Sequence, residues 1–195
     1  MTYKLGLTGS IGMGKTTTAR MFLELGFPVW DADEAVHRLY APGGAAVVPI
    51  AAAFPETLND GGIDRKILKQ TLAGNSDALK RLEKIVHPLV AEDREKFVRE
   101  HHSSQIVVLD IPLLFEGKSE QQVDGVAVVS TDSRTQHDRV LSRPGMTKEH
   151  FQMVLSRQMP DAEKRARADW IIPTDTLEGA RAAVERICRE IVTNA

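Results

Sequence analysis

The chain has 195 residues, of which 42% are hydrophobic and 27% charged, and its net charge is −2. These values suit a compact globular protein and exclude one that coats nucleic acid by charge alone. The single cysteine, Cys188, excludes an intrachain disulfide and a cysteine-based zinc site, and no apolar run approaches the roughly 18 residues that a membrane span requires.

Residues 3–8 read as a short buried strand, with Leu5 and Leu7 apolar and small residues between. Gly9-Ser10-Ile11-Gly12-Met13-Gly14-Lys15-Thr16 follows and matches GxxxxGK[ST] at every fixed position. Residues 16–25 predict a helix carrying Ala19, Met21, Phe22 and Leu25, with Gly26 as its stop. Strand, glycine-rich turn and helix form the setting in which this pattern binds phosphate. Glycines let backbone N–H groups face phosphate oxygens with no side chain in the way, and the helix N-terminus adds partial positive charge. Gly12, Met13, Gly14, Lys15, Thr16 and Thr17 are the expected ATP-binding set. Within it Lys15 reaches the β- and γ-phosphates, and Thr16 offers its hydroxyl to Mg²⁺. The chain enters this motif almost at once, so no signal peptide is expected and a cytoplasmic location is.

Residues 27–30 predict a second strand, ending in Asp31-Ala32-Asp33. One helix between two strands fits a right-handed crossover in a parallel sheet. Ligands bind beyond the carboxyl ends of such strands, which brings these aspartates toward the phosphates by topology. The competing reading is that one of them caps the helix beginning near Glu34. The pattern then turns helical up to about His102. Apolar faces recur at Ala35, Val36, Leu39 and Tyr40, and at Val47, Ile50, Ala51 and Phe54. Asn59-Asp60-Gly61-Gly62 reads as a turn, Asp64 as a helix cap, and His87-Pro88 as an interruption of the last helix. So much helix exceeds what one crossover needs, and residues 35–103 are expected to form an inserted helical subdomain.

Residues 106–110 form the next predicted strand, four apolar residues ending in Asp110, as in strands whose aspartate helps to hold Mg²⁺. Leu113, Leu114 and Phe115 follow and suit either a ligand wall or plain core packing. Residues 125–129 and 169–172 complete five strands, and residues 180–192 predict a final amphipathic helix. Between the last two strands, residues 139–167 carry seven Lys/Arg against three Asp/Glu. A cationic segment there suits a lid that closes on a triphosphate. His37, His101, His102, His137 and His150 show no metal-ligand spacing.

These motifs together resemble the dephospho-CoA kinase family over nearly the whole chain. The likeness rests on the phosphate loop with Leu7 and Thr8 before it, on Asp31-Ala32-Asp33, on His87-Pro88, and on Asp110-Ile111-Pro112-Leu113-Leu114-Phe115-Glu116. It continues in Thr135-Gln136 with Arg139 and Arg143, and in Gln158 followed by Lys164-Arg165-Ala166-Arg167-Ala168-Asp169. The resemblance implies a three-layer α/β P-loop kinase fold with a five-stranded parallel sheet. The core would comprise residues 1–34, 104–140 and 163–195. Residues 35–103 would be the coenzyme-A-binding subdomain and residues 141–162 the lid.

The implied reaction moves the γ-phosphate of ATP, with Mg²⁺, to the 3′-hydroxyl of the ribose of dephospho-CoA. Asp33 would be the base and Lys15 would act on the phosphates. Thr8, Leu113, Leu114 and Phe115 would line the acceptor site and His87 would sit on its side. Arg139 would lie against adenine and Arg143 would face phosphates. Thr174 stands where the family often has an asparagine that meets the adenine, and Val154 where the lid often has an arginine, with Arg157 nearby. ATP and dephospho-CoA are the expected partners, with neither nucleic acid nor membrane.

Two other readings compete. A nucleoside monophosphate kinase shares the loop, but the long helical insertion and Pro112–Phe115 favour a larger acceptor. A GTPase-like switch needs Asn-Lys-x-Asp to read guanine, and no asparagine here precedes a lysine.

Overall fold

A computed structural model describes residues 2–194. The chain divides into two compact units, one running from Asp31 to Glu100 and the other formed by the segments on either side.

In the flanking unit, β1 (Tyr3–Thr8) runs into the glycine-rich loop and then α1 (Lys15–Glu24). Next comes β2 (Val29–Asp31), at the boundary with the second unit.

The second unit begins with α2 (Ala32–Tyr40) and α3 (Val47–Ala53). A two-stranded antiparallel hairpin, β3 (Leu58–Asn59) and β4 (Gly62–Ile63), sits around the predicted turn. Then come α4 (Arg65–Leu72) and α5 (Ser76–Glu100). Its core gathers Leu39, Tyr40, Val47, Ile50, Phe54, Leu68, Leu82 and Val86, the apolar faces of four helices. Asp64 caps α4 as expected, its carboxylate accepting from the N–H groups of Lys66 and Ile67 at 2.8 and 3.0 Å.

The expected break at His87-Pro88 does not occur: α5 runs continuously for 25 residues with Pro88 inside it. An interior proline costs about 3 kcal/mol through a lost hydrogen bond and a steric clash. Burial of a large aliphatic side chain contributes about 1.5–3 kcal/mol. Leu82 and Val86 are buried just before the proline, and Ile85, Leu89 and Val90 pack partly against the same core. That face offsets the cost and carries the helix through.

Back in the flanking unit, β5 (Ile106–Asp110) is followed by β6 (Gly125–Ser130), α6 (Ser133–Leu141), α7 (Lys148–Leu155), α8 (Asp161–Arg167), β7 (Trp170–Pro173) and α9 (Leu177–Asn194). The five long strands form one parallel sheet in the order β2-β5-β1-β6-β7. Strands β1, β5 and β6 are central, and β5 and β6 are buried on both faces, as their unbroken apolar runs require. Leu5, Phe22, Val108, Val129, Val184 and Ile187 belong to one core between the sheet, α1 and α9. Register pairs Leu7 with Asp110 and with Ala127, so β1 and β5 deliver Thr8 and Asp110 to the same edge of the sheet.

Candidate active site

The loop between β1 and α1 adopts the conformation its glycines allow. Gly12 and Gly14 have φ of 80° and 90°, the left-handed region that disfavours any Cβ. At Gly12 a Cβ would also lie 2.5 Å from Val140 Cγ2 and 3.1 Å from the Gln136 carbonyl oxygen, because α6 packs directly on the loop. Met13 is buried, and its Sδ accepts from the Thr131 N–H at 3.2 Å. Its sequence position is variable in the motif, but here the side chain anchors the loop to the end of β6.

Lys15 opens α1, and its ammonium is paired with Asp110 at the end of β5. The lysine side chain is 17% exposed and the aspartate 2%. Two groups that lie 95 residues apart in the sequence thus meet where the sheet edge faces the loop. Thr16 and Thr17 are exposed on the first turn of α1, and Thr18 instead returns its hydroxyl to the Gly14 carbonyl at 3.1 Å.

Asp31 and Asp33 part company. Asp31 is the N-cap of α2, its carboxylate accepting from the N–H groups of Asp33 and Glu34 at 2.8 and 3.0 Å. Asp33 is exposed in the first helical turn. The capping role falls to one aspartate, which leaves the other carboxylate uncommitted to the helix.

The three residues expected to line the acceptor site differ in exposure. Leu114 is fully buried and Phe115 is 4% exposed, both in a cluster with Val126 and Val128, while Leu113 alone is exposed. The segment turns back after β5, which carries its last two apolar side chains under the sheet. Thr8 is also fully buried, and its hydroxyl donates to the Pro112 carbonyl at 3.1 Å. It supports the 112–115 segment from below rather than offering an open surface. His87 is exposed on α5, where it shares an open concavity with Lys80, Glu83, Lys84 and Pro88.

Thr174 is buried behind the loop. Its hydroxyl donates to the Met13 carbonyl at 2.7 Å, and its own carbonyl accepts from Arg139 Nη2 at 2.7 Å. The Thr174 side chain therefore braces the loop, and the half-buried Arg139 is held in place by it. Arg143 lies exposed just beyond α6.

Several contacts have no counterpart in the motif reading. Gln136 and Gln158 bond the Ile11 carbonyl and the Ile11 N–H respectively. Glu116 accepts from Lys164 Nζ at 2.9 Å and from the Met159 N–H at 2.7 Å. Lys164 is fully buried. Burial pushes the Glu116 carboxyl up, but the Lys164 hydrogen bond and the Met159 N–H outweigh it and hold the group below the usual glutamate range. Opposite charges at residues 116 and 164 were visible in the sequence, but their pairing is a long-range contact that no local pattern encodes.

Among the described residues no group of three or more His, Cys, Asp or Glu is placed to hold a metal. A nucleotide-bound Mg²⁺ needs only one or two protein oxygens, with phosphates and water completing the shell. Asp110 and Thr16 are oxygen donors of the required hard type.

A parallel sheet that presents a glycine-rich loop, with a lysine and a strand-end aspartate beside it, defines a P-loop nucleotide-binding protein. Comparison with known proteins narrows the class. The family model described as dephospho-CoA kinase matches residues 3–178. The chain is 54% identical over 191 residues to the dephospho-CoA kinase of Ruegeria pomeroyi, covering 98% of this chain and 96% of that one. Among solved structures, a Thermus thermophilus protein superposes with a TM-score of 0.82 at 30% identity, covering 99% of this chain and 97% of that one. The dephospho-CoA kinase of Campylobacter jejuni superposes with a TM-score of 0.68 at 25% identity, covering 97% of each chain. The chain belongs to the dephospho-CoA kinase family, which carries out the final step of coenzyme A biosynthesis.

Proposed function

We propose that this chain transfers the γ-phosphate of Mg-ATP to the 3′-hydroxyl of the ribose of dephospho-CoA, with the residues of the loop, β5 and α2 in distinct roles. The observation that carries the reading is the Lys15–Asp110 pair beside a left-handed glycine loop. It holds an ammonium and a carboxylate at the edge where triphosphate and its metal are handled in P-loop kinases.

Phosphoryl transfer asks the protein for positioning and charge neutralisation more than for covalent chemistry. The backbone N–H groups of residues 12–16 cradle the phosphates, and Lys15 neutralises charge on the β- and γ-oxygens. Asp110 and Thr16 hold Mg²⁺, which neutralises charge on the phosphate oxygens when bound. Asp33 orients the acceptor hydroxyl and takes its proton late in the transfer. Its exposure, with the cap made by Asp31, supports that assignment. Arg139 lies against the adenine side and Arg143 faces phosphate. Leu113 contributes the apolar contact that Leu114 and Phe115 do not, and His87 with the lysines beside it meets the acceptor. Thr174 acts through Arg139 and the loop. Residues 141–162 serve as the lid over the nucleotide, and residues 35–103 bind the acceptor.

The test is to incubate the protein with Mg-ATP and dephospho-CoA and to follow ADP and coenzyme A together by mass spectrometry. Coenzyme A is expected one-for-one with ADP. ADP without coenzyme A overturns the acceptor, and ADP formed with nucleoside monophosphates instead would assign the chain to that class of kinase.

A further inference from the structure

The two peptides that flank Ile11, in the phosphate loop, are each held by an amide side chain. Gln136 Nε2, on α6, donates to the Ile11 carbonyl at 2.7 Å. The Ile11 N–H donates to Gln158 Oε1, in the segment after α7, at 3.0 Å. The backbone dictates which end of each amide faces the loop, because an N–H only donates and a carbonyl only accepts. Gln136 must present its NH₂ and Gln158 its oxygen. Gln136 is 7% exposed, so it is a built part of the loop's support and not a surface group.

Peptide planarity turns these two bonds into a statement about the nucleotide site. In a trans peptide the C=O and the N–H of the next residue point in opposite directions. With the Ile11 carbonyl fixed on Gln136, the N–H of Gly12 is aimed the other way, into the loop. With the Ile11 N–H fixed on Gln158, the Ser10 carbonyl is aimed away from Gln158, and there it accepts from the Met13 N–H at 3.1 Å. The left-handed φ of 80° at Gly12 follows directly on these anchors. Left-handed backbone is the condition for successive N–H groups to converge on an anion.

We propose that Gln136 and Gln158 are positioning residues for ATP: Gln136 sets the orientation of the Ile11–Gly12 peptide and thereby aims the Gly12 N–H at the phosphates, and Gln158 fixes the preceding Ser10–Ile11 peptide, from which that orientation is built. Gln158 further links loop geometry to the 141–162 segment. This inference rests on the reading of the loop as an ATP site. It places a specificity for hydrogen-bond direction at two positions that carry the same residue type.

Two substitutions of identical charge separate that direction from a general electrostatic effect. Gln158→Glu keeps an oxygen for the Ile11 N–H. Gln136→Glu sets a carboxylate oxygen against the Ile11 carbonyl. Both put one negative charge beside Ile11, on adjoining peptides, so charge alone predicts losses of similar size. ATP binding in Mg²⁺ is measured by calorimetry, KM for ATP and for dephospho-CoA by coupled assay, and folding by thermal unfolding. Gln136→Glu is expected to raise Kd and KM for ATP at least about tenfold more than Gln158→Glu does, the scale of one hydrogen bond lost with its acceptor left opposed. KM for dephospho-CoA should change less than about twofold in both.

If Gln136→Glu does not fold, Gln136→Met and Gln158→Met each remove one bond without charge, and each should weaken ATP about three- to tenfold. Equal losses in the two Glu variants, or Met variants that bind ATP as wild type does, would overturn the proposal. So would wild-type protein that binds no ATP, which would remove the loop reading with it. ATP binding without coenzyme A formation would strike the acceptor assignment alone and leave the glutamine comparison intact.

Discussion

Lys164→Met tests the buried ion pair that ties the 112–116 segment to α8. Lys164 is fully buried, whereas the Glu116 side chain retains 18% exposure. The substitution keeps most of the volume and removes the ammonium. Glu116 is then left with backbone donors alone, the Met159 N–H at 2.7 Å and its own N–H. Breaking a buried pair from one side costs about 3–5 kcal/mol, because the surviving charge is uncompensated. Partial exposure and the retained N–H groups place Lys164→Met near the lower end, about 3 kcal/mol. Glu116→Gln leaves the ammonium at zero exposure and is expected to cost at least as much. The double variant should be less destabilised than the sum of the singles by about 2 kcal/mol or more.

Urea unfolding followed by tryptophan fluorescence measures all three. Acid adds an independent check. The folded-state pKa of Glu116 is depressed, so the pair's contribution is complete above the ordinary glutamate value of 4.5 and is lost as pH falls through the lower folded value. The stability gap between wild type and Lys164→Met should therefore close on acidification below about pH 4.5. A single-variant cost under about 1 kcal/mol, or additivity within about 0.5 kcal/mol, would refute the reasoning, since both values belong to surface pairs or independent sites.

Asp33→Asn is expected to lower kcat by about 100-fold or more while ATP affinity survives, in line with loss of a general base. Near-normal turnover would remove Asp33 from that role. Lys15→Ala should cost about 3 kcal/mol or more of transition-state stabilisation, and a kcat/KM within tenfold of wild type contradicts it. Gly12→Ala forces a Cβ into left-handed backbone 2.5 Å from Val140 Cγ2. At least about tenfold weaker ATP binding in a folded protein is expected from strain of about 1–2 kcal/mol plus the clash, and an unchanged Kd would show that the loop does not need this conformation.

What the sequence by itself determined was local or periodic. The strand-loop-helix motif, the apolar runs of β5 and β6, and the cap at Asp64 are each encoded within a few residues, where backbone sterics and side-chain hydrogen bonds act without distant partners. Tertiary structure decided the rest. Either aspartate of Asp31-Ala32-Asp33 suits a cap on paper, and the path of the chain out of β2 gave that role to Asp31. Pro88 reads as a break until the core beneath α5 is counted. Leu114 and Phe115 read as wall or core alike until the turn after β5 carries them inside. The sheet order β2-β5-β1-β6-β7, the Lys15–Asp110 and Glu116–Lys164 pairs, and the two glutamines on Ile11 join residues far apart along the chain. Such contacts depend on where the whole chain returns in space, a property that no short window of residues contains.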